Sequence, residues 1–344
     1  MTSTATPAYP LFSAKGGPRE LGRQHGEQAT RHIAAHLDFL GQSLSLNRAQ
    51  LQAKAQRFEP LLAQHCPHLL EEIGGLAEGA RITPAEALAV NIRAALGLEG
   101  LGGLDGCTAF ALAPQATAQG VPLIGQTSDT LPIIQEMAYV LRLEPEDKPA
   151  LLMWTFGGMI GYHGLNAHGV AHFANDLGGG PERRFALPHY PLKRLLLECR
   201  DLDECLALFQ RIPLASSGNY VLCDGTGRIL DVEATPEGSD VLEAREGGYL
   251  VHTNHFLSPQ RATPKNHVRS APDSFSRQQR MESLLQGRLG RATVADVQTF
   301  LHDRENHPIA ICRDARETTG LGWEFAGITV AALVAEPTLG LLHI

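Results

Sequence analysis

Asp105-Gly106-Cys107 closes a glycine-rich stretch, GLEGLGGLDG over 97–106, in which five of ten positions are glycine. Cys107 then opens CTAFALA (107–113), a short apolar run that reads as a strand. A thiol placed there can attack the carbonyl of its own preceding peptide bond in an N→S acyl shift, and water then hydrolyses the thioester. Glycine before the nucleophile removes the Cβ that would obstruct attack, and a loose or strained approach loop lets the bond take an unusual geometry. Scission between Gly106 and Cys107 would make Cys107 a new N-terminus. Its α-amine, with a reference pKa of about 7.7–8.0, would be base for its own thiol at about 8.5. A packed core thiol is the ordinary alternative for a cysteine at a strand start, and at this point the residues leave both open.

The other reactive side chains give weaker patterns. The six cysteines, at 66, 107, 199, 205, 223 and 312, include no C-x-x-C pair, so zinc-ribbon and thioredoxin-type chemistry find no support. Scattered cysteines behind an N-terminus without a basic-then-apolar leader read as reduced thiols in a cytoplasm. Among 15 histidines, His32 and His36 stand one helical turn apart, but the glutamate of H-E-x-x-H is missing because position 33 is isoleucine. His163, His168 and His172 cluster across a glycine-rich turn without cysteine or glutamate ligands arranged around them, so no metal site is expected. The phosphate-binding glycine fingerprints and the G-x-S-x-G elbow are absent.

The elements that must position Cys107 fall into groups. Apolar spacing predicts a helix opened by Pro18 and running past Leu40, a second helical segment over 61–76, and a third from Thr83 to about Leu96. The third carries a capping box, Thr83 with Glu86, and a proline at its first helical position. Strands are expected at 107–113, 121–127, 137–143, 150–155 and 169–175, then two helices at 191–199 and 202–212. A hairpin around Gly225-Thr226-Gly227 and a strand over 248–254 follow. Helices near 274–286 and after Thr293 precede closing strands in WEFAGITVAALVA and LGLLHI. Grouped helices and grouped strands point to a layered α+β fold.

With 344 residues the chain can bury a large core without metals or disulfides. The 29 Lys+Arg against 37 Asp+Glu, a net charge of −8, argue against nucleic-acid or membrane-surface partners. No run of 18 apolar residues suggests a membrane span.

Six segments in order give the cysteine a context. PRELGRQHGEQA (18–29), DGCTAF (105–110), GQTSD (125–129), GLNAHGVAHFANDL (164–177), HTNHF (252–256) and ICR (311–313) together resemble the acyl-coenzyme A:isopenicillin N (6-aminopenicillanic acid) acyltransferase family. These are autoproteolytic cysteine acyltransferases and hydrolases with an N-terminal nucleophile. The resemblance implies a four-layer αββα sandwich of mainly antiparallel sheets, one domain over 1–344. It implies Cys107 as nucleophile and Gly106–Cys107 as the cleavage site, with an α chain of 1–106 and a β chain of 107–344 that remain associated. Asn254 is the expected oxyanion donor, since a neutral amide donates without adding a competing charge. Asp129 is expected to hold the α-amine of Cys107, Arg313 to lower the thiol pKa or clamp a substrate carboxylate, Asn175 to line the acyl pocket or donate to the substrate, and His255 to tune local pKa values. One departure stands out: Thr127 and Ser128 occupy positions where an Asn-Trp pair is common in the family, which alters the expected pocket.

The expected activity is therefore an autocatalytically matured cysteine amidohydrolase or acyltransferase. It would act on a small-molecule amide or acyl thioester, with no cofactor and with acyl-coenzyme A as a candidate donor. A non-catalytic, uncleaved binding protein of the same fold is the alternative, and a histidine-ligated zinc hydrolase a poorer third.

Overall fold

A computed structural model of the chain describes residues 9–97, 106–263, 272–308, 310–314 and 327–344. The glycine-rich approach over 98–105, including Asp105, lies outside them, as does the start of the predicted strand at 323–326.

Two antiparallel-rich sheets form the middle of the fold. The larger has eight strands: β1 (Leu11–Gly16), β4 (Ala138–Pro145), β5 (Leu151–Phe156), β6 (His163–Asn166), β7 (Ala171–Asp176), β8 (Gly218–Cys223), β9 (Ile229–Thr235) and β10 (Gly238–Glu243). They lie in that spatial order, and only the edge pair β1–β4 is parallel. The smaller sheet runs β11 (Tyr249–His252), β2 (Gly106–Leu112), β3 (Leu123–Thr130), β12 (Ile328–Glu336), β13 (Leu341–His343), all antiparallel.

Strand alternation divides the apolar side chains among three cores. In β2, Ala109 and Ala111 face the layer between the sheets, while Phe110 and Leu112 face outward into a second core. In β8, Val221 and Cys223 face between the sheets and Tyr220 and Leu222 outward. Both faces of β2 and of β8 are therefore buried, which requires a helical layer on each outer side. Helices α1 (Pro18–Leu44), α2 (Arg48–Gln56), α3 (Glu59–His65), α4 (Pro67–Ala80) and α5 (Pro84–Asn91) supply one, with α7 (His189–Leu196) and α8 (Leu202–Arg211). The short α6 (Ile133–Met137) links β3 to β4. Helices α9 (Pro272–Gln286) and α10 (Val294–Leu301) cover the smaller sheet. The order of layers is αββα.

Backbone contact between α1 and α4 explains the glycines of the first motif. A Cβ on Gly22 would stand 1.8 Å from the Glu72 carbonyl oxygen, and one on Gly75 1.9 Å from that of Arg19. Only glycine permits so close a crossing. The predicted segment over 61–76 is two helices, since the chain breaks at Cys66 before Pro67. The third predicted helix ends at Asn91 and continues to Leu96 only as a 3-10 turn. Among the described residues no helix is long and apolar enough to cross a membrane.

Candidate active site

Three strands of the smaller sheet end at one place. Cys107 is the second residue of β2 and pairs with Ser128 on β3; Gly106 pairs with Asp129, and Asp129 in turn with Thr329 on β12. On the other side β11 pairs with β2 through His252 and Ala109, so the loop after it, Thr253-Asn254-His255, leaves beside Cys107. The first turn of α9 and the Arg313 segment close the arrangement.

A set of charge-assisted hydrogen bonds surrounds the cysteine. The Cys107 N–H donates to Asn254 Oδ1 at 3.1 Å, and Arg277 Nη1 donates to the Cys107 carbonyl at 2.6 Å. The same guanidinium reaches Thr108 Oγ1 at 3.1 Å, Asn254 Oδ1 at 2.8 Å and Asp273 Oδ2 at 2.8 Å. Arg313 donates through Nη2 to Asp273, and its Nε stands 3.6 Å from Asp129 Oδ2. Asp129 accepts from Thr329 Oγ1 at 2.6 Å. The Arg313 guanidinium also lies against the Gly106 backbone: a Cβ built there would meet Nη2 at 2.7 Å and Cζ at 3.0 Å. Any residue larger than glycine at 106 would displace it.

The electrostatics follow from this crowding. Burial raises the Asp129 carboxyl above its ordinary pKa, against the opposing charges of Arg313 and Arg277. Burial alone would do the same to Asp273, but Arg277 and Arg313 outweigh it and hold that carboxyl below its usual range. For Arg313 the desolvation is likewise outweighed, by Asp129 and Asp273, and its pKa rises. Four cysteines, 66, 199, 205 and 223, are buried; burial pushes the Cys66 thiol up to about 12. Cys107 and Cys312 are partly exposed, and of these Cys107 lines the cavity.

That cavity encloses about 690 Å³, part of it open to solvent. Besides Cys107, its wall includes Ser128, Asp129, Asn175 and Asp176, a row of aromatic rings (Phe156, Tyr162, Tyr190, Tyr220), and the cations Arg93 and Lys193. Ser128, at one of the two positions where the sequence departs from the family pattern, puts a small side chain on the wall opposite Cys107 in the strand pairing.

The residues expected from the sequence gather here, but several hold different contacts from those anticipated. Asp129 is cross-strand from Gly106, with Thr329 and Arg313 as its side-chain partners. Asn254 accepts from the Cys107 N–H and donates through Nδ2 to the Asp176 carbonyl at 3.0 Å. Arg313 is buried between two carboxylates, not spread on the surface as an arginine near a strand usually is. Asn175 lines the cavity while its amide donates to the carbonyls of His252 and Thr253 at 2.9 and 3.0 Å. His255 accepts or donates through Nδ1 to Ser274 Oγ at 2.7 Å and stacks on Phe275, which makes it a buttress of the loop. His36, of the helical histidine pair, bonds the Gly157 carbonyl at 2.9 Å, and His32 packs its ring against Tyr139 and Phe12.

Arg277, Asp273 and Ser274 were not anticipated. Asp273 and Arg277 stand four apart at the start of a predicted helix, a spacing that suggests an ion pair but not that it would be buried against Cys107. Beneath the loop lies a second unanticipated group. His252 Nε2 is 2.8 Å from Glu233 and 3.7 Å from Asp231, and Glu233 also accepts from the backbone N–H groups of Leu257 and Ser258. Burial would lower the His252 pKa, but Asp231 and Glu233 outweigh it and raise it.

The chain is similar to several known proteins. The model of a family described as acyl-coenzyme A:6-aminopenicillanic acid acyl-transferase matches residues 116–322, more than half of the chain. The chain is 28% identical over 315 residues to the acyl-coenzyme A:6-aminopenicillanic-acid-acyltransferase 40 kDa form of Emericella nidulans, covering 90% of this chain and 86% of that one. Among solved structures it resembles a Caenorhabditis elegans N-acylethanolamine-hydrolyzing acid amidase ortholog (14% identity, TM-score 0.48, 67% of this chain and 93% of that). A penicillin V acylase from Agrobacterium tumefaciens is similar at 11% identity and TM-score 0.47, over 68% and 81% of the two chains.

Proposed function

The chain belongs to the acyl-coenzyme A:6-aminopenicillanic acid acyl-transferase family, and from that premise we propose that it is a cysteine amidohydrolase or acyltransferase matured by cleavage at Gly106–Cys107. The observation that carries the reading is the convergence of Asn254, Arg277, Arg313, Asp129 and Asp273 on the one cysteine that lines the cavity. A structural thiol needs no such surroundings.

In maturation the Cys107 sulfur attacks the Gly106 carbonyl carbon and the peptide nitrogen leaves as the α-amine, taking a proton. Water then hydrolyses the thioester, freeing the Gly106 carboxylate and the thiol. Arg313, packed on Gly106, is positioned to stabilise negative charge on that carbonyl, and Arg277 fixes the Cys107 carbonyl on the other side. In turnover the α-amine accepts the thiol proton, the sulfur attacks the substrate carbonyl, and the protonated leaving group departs from an acyl-enzyme. Water or an acceptor amine resolves that intermediate and returns the thiol. Asn254, whose Oδ1 takes the Cys107 N–H, would hold the new α-amine by the same contact. Its amide N–H₂ donates to the Asp176 carbonyl and is the neutral donor assigned to a substrate oxyanion.

Brief incubation with an activated acyl ester, acid quench and peptide mapping test the reading. The acyl mass is expected on the peptide beginning with Cys107, and Cys107→Ala should carry none. An adduct on Cys312 alone, or none in a protein that turns the ester over, would reject it.

A further inference from the structure

We infer that the cavity beside Cys107 recognises a carboxylate through Arg93, so that the preferred substrates are amides whose portion inside the cavity bears a negative charge. This rests on the reading of Cys107 as the nucleophile and adds the class of substrate.

Arg93 opens the 3-10 turn Arg93–Leu96 after α5 and lines the cavity at 3% exposure. Its guanidinium makes no hydrogen bond or ion pair with any described residue, and its Nε is buried without an acceptor. The neighbours it does have are aromatic: Cζ lies 5.2 Å from the Phe156 ring centroid and 5.9 Å from that of Phe39. Rings offer a cation no acceptor oxygen, so its N–H groups remain for something else.

The other buried arginines show what such a group ordinarily has. Arg194 grips Glu72 with two bonds of 2.9 Å, Arg277 holds Asp273, and Arg313 lies between Asp129 and Asp273. A buried cation without a counter-charge is costly, and a planar guanidinium is matched best by a carboxylate taken through two parallel bonds. Lys193 shares the wall, its ammonium 4.6 Å from the Tyr162 ring centroid and 5.3 Å from that of Tyr190.

The test compares glutaryl and pentanoyl para-nitroanilides, which differ by a carboxylate in place of a terminal methyl group. For the purified chain kcat/KM should favour the glutaryl compound about tenfold or more. The ratio should collapse toward one in Arg93→Met and be partly kept in Arg93→Lys. A wild-type ratio at or below one, or an undiminished ratio in Arg93→Met, overturns the inference. Calorimetric binding of glutaramate against pentanamide gives the same comparison without turnover. Tighter glutaramate binding that is lost in Arg93→Met, with neither anilide cleaved, upholds the carboxylate site and counts against the hydrolytic reading. Equal cleavage of both anilides with equal binding does the reverse.

Discussion

At the scale of single residues, the contacts of Gly106 and Cys107 fall on the two sides of one peptide bond. Arg313 touches the Gly106 side, Arg277 and Asn254 the Cys107 side, and the two arginines share Asp273 between them. This makes Gly106 the residue whose smallest change has the largest consequence. In Gly106→Ala the added methyl would stand 2.7 Å from Arg313 Nη2, so the guanidinium must shift from its place against Gly106. Maturation is expected to slow by roughly 10²-fold or more, the usual cost of losing one oxyanion donor. Time-resolved denaturing electrophoresis after synthesis would follow it, and cleavage at the wild-type rate would remove Arg313 from the step. Cys107, Asn254 and Asp129 were legible as candidates because each sits in a short segment that resembles a motif of the family. Arg277 and Arg93 were not. Each looks in the sequence like an ordinary charged residue at a helix margin, and only the packing of α9 against β2, or of the turn after α5 against Phe156, puts it at the site.

At the scale of elements, the loop bearing Asn254 is held from below by β8 and β9. Asn219 donates to Asp231 at 3.0 Å, and Asp231 and Glu233 flank His252 at the end of β11. The His252 pKa is raised above its reference of 6.5, so the folded state binds the proton more tightly than the unfolded one. Its contribution to stability is therefore complete below the unfolded value and is lost as pH rises through the folded one. The stability difference between wild type and His252→Gln, from denaturation midpoints, should be largest below the reference value of 6.5 and shrink as pH rises above it. A difference independent of pH would mean that the ring acts only through packing. The groups facing it are Asp231, Glu233 and the Thr253 carbonyl. Most strands and helices were readable because their apolar residues repeat at a period of two or of three to four. The two edge strands of the large sheet were not. GSDVLE presents exposed or half-buried residues on both faces, and LFSAKG buries only Ala14, so each depends on a neighbour more than on its own pattern. Helix α2 was also missed, although its capping box, Asn47 with Gln50, is written in the sequence.

At the scale of the whole molecule, residues before 106 and after 107 share one core. Strand β1 pairs along its length with β4, α1 to α5 pack on the large sheet with α7 and α8, and Glu72 of α4 takes Arg194 of α7 in a buried bidentate pair. Two pieces cut at 106/107 would therefore stay together without a covalent link, because separation would expose that core and strip Arg194 of Glu72, its bidentate partner. Mass spectrometry of the purified chain, native and denatured, tests the central claim most directly. Under native conditions the account predicts one assembly holding both pieces. On denaturation it predicts two masses, residues 1–106 and residues 107–344, the second with Cys107 as its first residue, and a single uncut species in Cys107→Ala. An intact chain of 37.1 kDa that persists for days in the wild type, or a cut that also occurs in Cys107→Ala, would contradict it.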